Sequence, residues 1–320
     1  MNNSSICYIV PTLNESKHIA NTINSIKKAV QYHFHYSIIV VDNGSSDNTK
    51  KIAEENGALV FEKPNCTIAS NRNCGFRKTN ADILVFLDAD VYLESCWGKE
   101  FQTTIELLRD HPLTVTGSIV GIKNDKNLIE KCWFKPRLKE QNIKYINSGH
   151  IIVSRELFQI VGGFDGAMVT GEDYDFCMRA KKIGARIINN PKLRVVHQGY
   201  PQNIPQFFRR ERWHGRGDFL SLRNIVSSKP ALIVVCQLLL LISSIAVTFF
   251  TSNILFLFFF IIFFMSVCFL AAVIRCGLKK IDLFPCTLLY SVYFVARSFA
   301  LIDVVLGHAY RKIEGDKKII

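Results

Sequence analysis

Asp88-Ala89-Asp90 closes an apolar run, Ile83-Leu84-Val85-Phe86-Leu87, that reads as a buried parallel strand. Side chains two apart in an extended chain point the same way, so both carboxylates are expected to face one point in space. Two bare carboxylates side by side repel each other unless a cation lies between them. Oxygen ligands favour Mg²⁺ or Mn²⁺, and such ions bind through one or two carboxylates plus substrate phosphates. The competing reading is a solvated turn at a strand end, where aspartate is common. A second acidic group is Gly171-Glu172-Asp173-Tyr174-Asp175. A carboxylate on a helix start suits removal of a proton from an attacking hydroxyl. The alternative is the acidic first turn of a helix, favoured by its dipole and nothing more. His197 ends the apolar stretch Leu193 to Val196 and is either a metal ligand or a partly buried structural histidine.

Alternating elements must position these groups. Ile6 to Val10 reads as a strand ended by Pro11, and Ile19, Ile23, Ile26 and Val30 follow at helical spacing. Ser37 to Val41 is the next strand, ending on Asp42, and Asp47 or Ser46 is placed to cap the helix after it. A short strand Ala58 to Phe61 and a helix within Cys66 to Phe76 precede the Asp88/Asp90 strand. Phe101, Ile105 and Leu108 predict a helix, Val115 to Ile122 a strand, and Ser154 opens a helix that stops at Gly162-Gly163. This alternation predicts an α/β fold with a doubly wound, mostly parallel, Rossmann-like sheet. Such sheets bind ligands at the carboxyl ends of their strands, so Glu15, Asp42, Asp88 and Asp90 are expected on one rim. No glycine-rich dinucleotide fingerprint follows the first strand and no P-loop occurs, which disfavours a dehydrogenase or a P-loop enzyme.

The 320 residues carry a net charge of +12, which suits nucleic acid or an anionic membrane surface with anionic substrates. No nucleic-acid-binding module is recognisable, and long apolar stretches favour the membrane. The ten cysteines show no Cys-x-x-Cys pair, so neither a zinc site nor a disulfide framework is expected. The first residues have no basic region before an apolar core, so no signal peptide is expected. Lys123 to Lys144 is a basic, irregular stretch in which Trp133 and Phe134 either stack on a ligand or form a local hydrophobic clasp.

Six short motifs occur in order: Val10-Pro11-Thr12-Leu13-Asn14-Glu15, Val40-Val41-Asp42-Asn43-Gly44-Ser45-Ser46-Asp47, Arg72-Asn73, Phe86-Leu87-Asp88-Ala89-Asp90, Gly162-Gly163-Phe164-Asp165 and Gly171-Glu172-Asp173-Tyr174-Asp175. Over about the first 215 residues the chain thereby resembles the inverting, nucleotide-sugar-dependent enzymes of glycosyltransferase family 2, with the GT-A fold. The resemblance implies that Pro11, Glu15 and Asp42 hold the uracil and ribose of a UDP-sugar, with Arg72 by the nucleotide or its phosphates. It makes Asp88 and Asp90 the diphosphate–metal motif, His197 an extra metal ligand, and Asp173 the general base with Glu172 beside it. Turn and cap chemistry is the rival explanation of Glu15 and Asp42. Processive relatives carry Gln-x-x-Arg-Trp before the membrane. Here Arg209 stands at the glutamine position ahead of Arg212-Trp213, which argues against processive polymerisation. Arg209, Arg212 and Trp213 are expected on a flexible basic loop that clamps the diphosphate, while Arg216 and Arg223 equally suit anionic lipid.

The predicted layout is a catalytic domain over residues 1–220, a linker 221–230 and a membrane domain 231–320. Spans are expected at about 231–250, 254–274 and 283–306. Arg275, Lys279 and Lys280 put the first pair's ends on the cytoplasmic side. The third stretch carries Arg297 and Asp303 and precedes a basic tail, so it is a span with paired charges or a re-entrant or interfacial helix; a span is preferred. The expected activity is transfer of one sugar to a membrane-associated, polyprenyl-linked saccharide at the bacterial cytoplasmic membrane, with no nucleic-acid partner. A polyprenyl-phosphate sugar synthase is the nearest rival; a nucleotidyltransferase or a non-catalytic membrane scaffold is more distant.

Overall fold

The computed structural model describes residues 4–30, 35–122, 127–134, 143–276 and 282–307. Lys279, Lys280, Arg311, Lys312, Lys317 and Lys318 lie outside the described residues, as does much of the 123–144 stretch. The chain divides into two compact units, and the division falls after Tyr200 rather than at residue 220.

The first unit contains, in order, β1 (Ile6–Thr12), α1 (Ile19–Ala29), β2 (Tyr36–Asp42), α2 (Thr49–Glu55), β3 (Leu59–Glu62), α3 (Ile68–Arg77), β4 (Ile83–Leu87), β5 (Val91–Leu93), α4 (Trp97–Asp110), β6 (Thr114–Gly117) and β7 (Gly121–Ile122). It continues with β8 (His150–Ser154), α5 (Arg155–Val161), α6 (Glu172–Lys182), β9 (Arg186–Asn189) and β10 (Val195–His197). Seven strands form one sheet in the order β3-β2-β1-β4-β8-β6-β9. Every residue of β1 is buried, because helices cover both faces of the sheet. Ile6, Tyr8 and Val10 join the core under α1 and α4, while Cys7 and Ile9 join Phe158 of α5 and Phe176 of α6 on the other side. A β-carbon on Gly75 would lie 2.4 Å from the Ile9 side chain, so α3 packs directly on β1.

The sheet is mostly rather than wholly parallel. β8 runs antiparallel to β4 and to β6, with His150 opposite Leu87. Its first residue therefore lies at the rim where β4 ends, and this delivers the Asn147–His150 segment to the site. The expected strand Val115–Ile122 is two strands: β6 stays in the large sheet, and β7 joins a small sheet ordered β5-β10-β7. Gly117 separates them at φ +144°, where an added β-carbon would meet the His150 carbonyl at 2.1 Å.

The second unit holds a π-helical turn (Glu130–Phe134), α7 (Ile204–Gly215), a 3₁₀ turn (Arg216–Phe219), α8 (Leu222–Ser227), α9 (Lys229–Thr251), α10 (Leu255–Cys276) and α11 (Leu283–Val305). Trp133 is a hydrophobic clasp: its ring meets Phe207, Tyr290 and Tyr293 at centroid distances of 4.9–5.0 Å, with the Arg275 guanidinium 4.4 Å away. Helices α9, α10 and α11 are each long and apolar enough to cross a membrane, with mean hydropathies of 2.6, 3.0 and 1.6.

Candidate active site

The parallel strands β1, β2 and β4 end on one edge, and the loops that follow carry the acidic residues. Asn14, at φ 55°, folds the loop after β1 back onto the loop after β2. Its backbone N–H donates to Ser45 Oγ (2.8 Å) and its side-chain oxygen accepts from the Ser46 N–H (2.9 Å). Asp47 accepts from the Thr49 N–H at 3.0 Å in a turn just ahead of α2, whose N-cap position is Asn48 rather than Asp47 or Ser46.

Asp42 is fully buried, and its carboxylate accepts from the N–H groups of Gly44 (2.9 Å) and Ser45 (2.8 Å) and from Ser45 Oγ. Turn chemistry thus accounts for Asp42. The structure gives it the loop after β2 to hold. Pro11 is buried within β1, past the last residue paired with β4, where its missing N–H is tolerated. Glu15 is half-buried at the rim. Burial, with Asp90, Asp88 and Asp47 adding negative potential, pushes its carboxyl up to about 8. Glu15, Asp88 and Asp90 therefore converge as expected, and Asp42 lies beneath them as a brace.

Asp88 and Asp90 are not strand residues. β4 stops at Leu87, and the Val91 N–H donates back to the Asp88 carbonyl at 3.1 Å, so Asp88-Ala89-Asp90 is a turn. Their side chains have separate protein partners. Asp88 Oδ1 accepts from Arg72 at 2.6 Å, whereas Asp90 Oδ2 lies 3.4 Å from His197 Nε2. β10 brings the histidine there: His197 sits opposite Val91 in the antiparallel β5–β10 pair, and the Gln198 N–H donates to the Asp90 carbonyl. The imidazole stacks on Tyr200 at 4.2 Å, and its buried Nδ1 has no hydrogen-bond partner.

These groups fit a divalent cation that a diphosphate completes. Among the described residues no three His, Cys, Asp or Glu side chains form a closed ligand cluster. Asp90 and His197 nonetheless offer oxygen and nitrogen donors side by side, and the Asp88 carboxylate keeps some solvent exposure. Burial raises the Asp90 carboxyl; His197 opposes that shift and Asp88 adds to it, so a positive ion would stabilise the ionised form. Gly199 leaves the space required, since a β-carbon there would come 2.0 Å from Asp90 Oδ2. Gly199→Ala should weaken half-maximal Mn²⁺ activation about 10–100-fold, as loss of support around a ligand does, with little change in melting temperature. A metal titration of nucleotide release checks this; an unchanged midpoint would remove Asp90 from the cation site.

Arg72 is the hinge of the acidic arrangement. It is fully buried on α3 and bridges Asp88 to Glu172 Oε1, the latter at 2.7 Å. With no exposed surface, it holds the two carboxylates in place. The adjacent Asn73 braces the same region, exchanging hydrogen bonds of 2.7 and 3.0 Å with the Phe164 backbone.

Gly171, at φ +80°, turns the chain into α6 and puts Glu172 and Asp173 in its first turn. Asp173 accepts from the N–H groups of Ser148 (3.1 Å) and Tyr174 (2.8 Å). Ser148 Oγ donates to Glu172 at 3.1 Å. Burial, then the Glu172 charge, lifts the Asp173 carboxyl to about 7, against the two N–H donors and Arg72. A carboxyl there gains and loses a proton near neutrality, as a general base requires.

Two participants carry no motif in the sequence. Ser148 ties both acids of α6 to the start of β8. His150 is fully buried and accepts at Nε2 from Trp97 Nε1 (3.1 Å). Ser118 faces the other ring nitrogen, with its N–H 3.2 Å and its Oγ 2.9 Å from Nδ1, and Ser118 Oγ donates onward to the Leu193 carbonyl. Burial holds His150 down to about 3, so it is a neutral brace beneath the rim.

Arg209, Arg212 and Trp213 belong to the second unit and lie on the regular helix α7, not on a loop. Asn203 caps that helix and Pro205 sits in its first turn, which explains its order. Arg212 is committed to Asp303, with Nε at 2.8 Å. Trp213 is half-buried against His214, and Arg209 is exposed.

Comparison with known proteins agrees with this architecture. The chain is 25% identical over 248 residues to the pre-mycofactocin glycosyltransferase of Mycobacterium tuberculosis, covering 71% of this chain and 50% of that protein. It is 25% identical over 236 residues to the succinoglycan biosynthesis protein ExoA of Rhizobium meliloti, covering 65% and 67% respectively. The chain thus spans about half the length of the first of these relatives. The solved mannosyltransferase PcManGT of Pyrobaculum calidifontis, in complex with GDP-Man and Mn²⁺, shares the fold with a TM-score of 0.53 at 19% identity, over 99% of this chain and 89% of that one. The model "Glycosyl transferase family 2" matches residues 7–159 and "Glycosyl transferase family group 2" matches residues 147–296. Fold and family models agree across both units, and the chain belongs to glycosyltransferase family 2.

Proposed function

We propose that the chain transfers one sugar, with inversion, from a nucleoside-diphosphate sugar to a hydroxyl of a membrane-held, polyprenyl-linked saccharide. The carrying observation is a buried carboxyl poised near neutrality, Asp173, on the same braced acidic rim as Asp88 and Asp90. Asp173 accepts the acceptor's proton as the new bond forms, while Ser148 and the Arg72–Glu172 pair fix its position. Asp88, Asp90 and His197 would hold Mg²⁺ or Mn²⁺ against the donor's diphosphate. A bound ion there would supply neutralisation of the charge developing on the leaving nucleotide. Glu15 supplies a polar contact for the donor, which is expected to be a UDP-sugar. ExoA's part in succinoglycan biosynthesis supports a polysaccharide setting, and the apolar helices support an acceptor held at the bacterial cytoplasmic membrane.

The test is nucleotide release from a panel of UDP-, GDP- and dTDP-sugars by detergent-purified protein with Mn²⁺ and a bacterial lipid extract. One donor should be consumed and its nucleoside diphosphate released, with loss of activity in Asp90→Ala. Release of pyrophosphate with formation of a nucleotide sugar would instead identify a nucleotidyltransferase. The rate at limiting substrate should rise with pH and reach half its plateau near pH 7, since only the ionised Asp173 can take a proton. A flat profile from pH 5.5 to 8 would count against that base.

A further inference from the structure

The geometry points to α11 as a helix lying in the membrane interface rather than a third crossing. Buried residues of α9 are Ala231, Val234 and Gln237, all near its start; those of α10 are Cys268, Ala272 and Cys276, all near its end. These are the paired ends of one hairpin. Between them no residue from 238 to 267 is buried. Helix α11, by contrast, is buried along its length, from Cys286 through Tyr293 to Asp303. A 23-residue helix is about 35 Å long. Were it a third antiparallel span, it would cover α9 and α10 along their whole lengths. It covers only their base.

Helix α7 fixes the depth of α11. Phe208 meets Phe299 and Arg212 pairs with Asp303, so a four-residue step on one helix matches four on the other and the two run parallel. Arg216 adds a second contact to Asp303, and Arg297 reaches Glu211 and Asp218. Whatever depth the second half of α11 takes, α7 shares it. That includes the exposed Arg209 together with Arg210, Glu211, Arg212 and His214. Each arginine at the bilayer centre would be costly to bury in lipid. At the interface the same charges meet water and lipid headgroups.

The outer face of α11 fits that position. Phe284, Leu288, Val295, Ile302 and Leu306 are exposed and follow one another at helical steps, forming an apolar stripe. Such a stripe enters the acyl boundary while the opposite face packs on protein. Only the α9–α10 hairpin then crosses, and the chain after α11 stays on the side of α7. In the sequence, Arg311, Lys312, Lys317 and Lys318 after α11 carry the basic charge expected of a cytoplasmic flank.

The test is protease accessibility in sealed, oriented membrane vesicles containing the full chain. Epitope tags are placed at the N-terminus, in the Ser252-Asn253 turn, and at the C-terminus. The expected result is that the two terminal tags are cleaved from one face and the turn tag only from the other. Cleavage of the C-terminal tag together with the turn tag would establish a third crossing and overturn the proposal. Cleavage of all three from one face would overturn it too, by showing that the hairpin does not cross.

Discussion

Asp173→Asn should lower the rate of sugar transfer by about 10²–10⁴-fold, the usual contribution of a positioned general base. The substitution keeps an oxygen that can accept from the Ser148 N–H, so the α6 start should stay folded. Donor affinity should change little, because the lost function is proton removal and not binding. Product formation with the identified donor, followed under saturating conditions, checks this. A phosphate acceptor attacks without losing a proton, so activity that survives the substitution would mean a polyprenyl-phosphate sugar synthase. The same residue has a stability signature. A carboxyl whose folded value is raised to about 7 favours the folded state while protonated. That contribution is fully present below the ordinary aspartate range near pH 4 and is lost as pH rises to about 7.

Arg72→Met should be the most destabilising single change at the site. It leaves Glu172 buried without its cation and removes the partner of Asp88. Breaking a buried ion pair from one side costs about 3–5 kcal/mol. In a unit of this size that is a fall in melting temperature on the order of 10 °C. Arg72→Lys should recover only part, since one ammonium cannot span both carboxylates as the planar guanidinium does. Adding Glu172→Gln to Arg72→Met should restore stability measurably, because it discharges the orphaned acid. If Arg72→Met melts like the parent, the buried bridge does not hold the rim together.

The sequence pattern made the fold and most of the site legible where a local rule applied. Apolar runs ending on Pro11, Asp42 and Asp88 marked three parallel strands, and Ser154 with Gly162 bracketed α5. The acids of α6 were visible as a helix start behind Gly171. What stayed hidden depends on pairing across long sequence separations. The antiparallel entry of β8 is set by its register with β4, and only that register turns Ser148 and His150 into parts of the rim. The partners of Arg72 lie 16 and 100 residues away, beyond any local pattern. Asp42 shows the reverse case: its partners, Gly44 and Ser45, belong to the short-range turn that follows it. In the sequence Arg212 reads as part of a clamp and Asp303 as a costly charge in lipid, and the fold pairs them.

The most direct measurement is the anomeric configuration of the transferred sugar, read by NMR from product made with the one active donor. Attack by a hydroxyl deprotonated at Asp173 displaces the nucleotide in a single step, so the linkage should be opposite to that of the donor. A linkage that keeps the donor's configuration would require a different route and would contradict the assignment of Asp173 as the base.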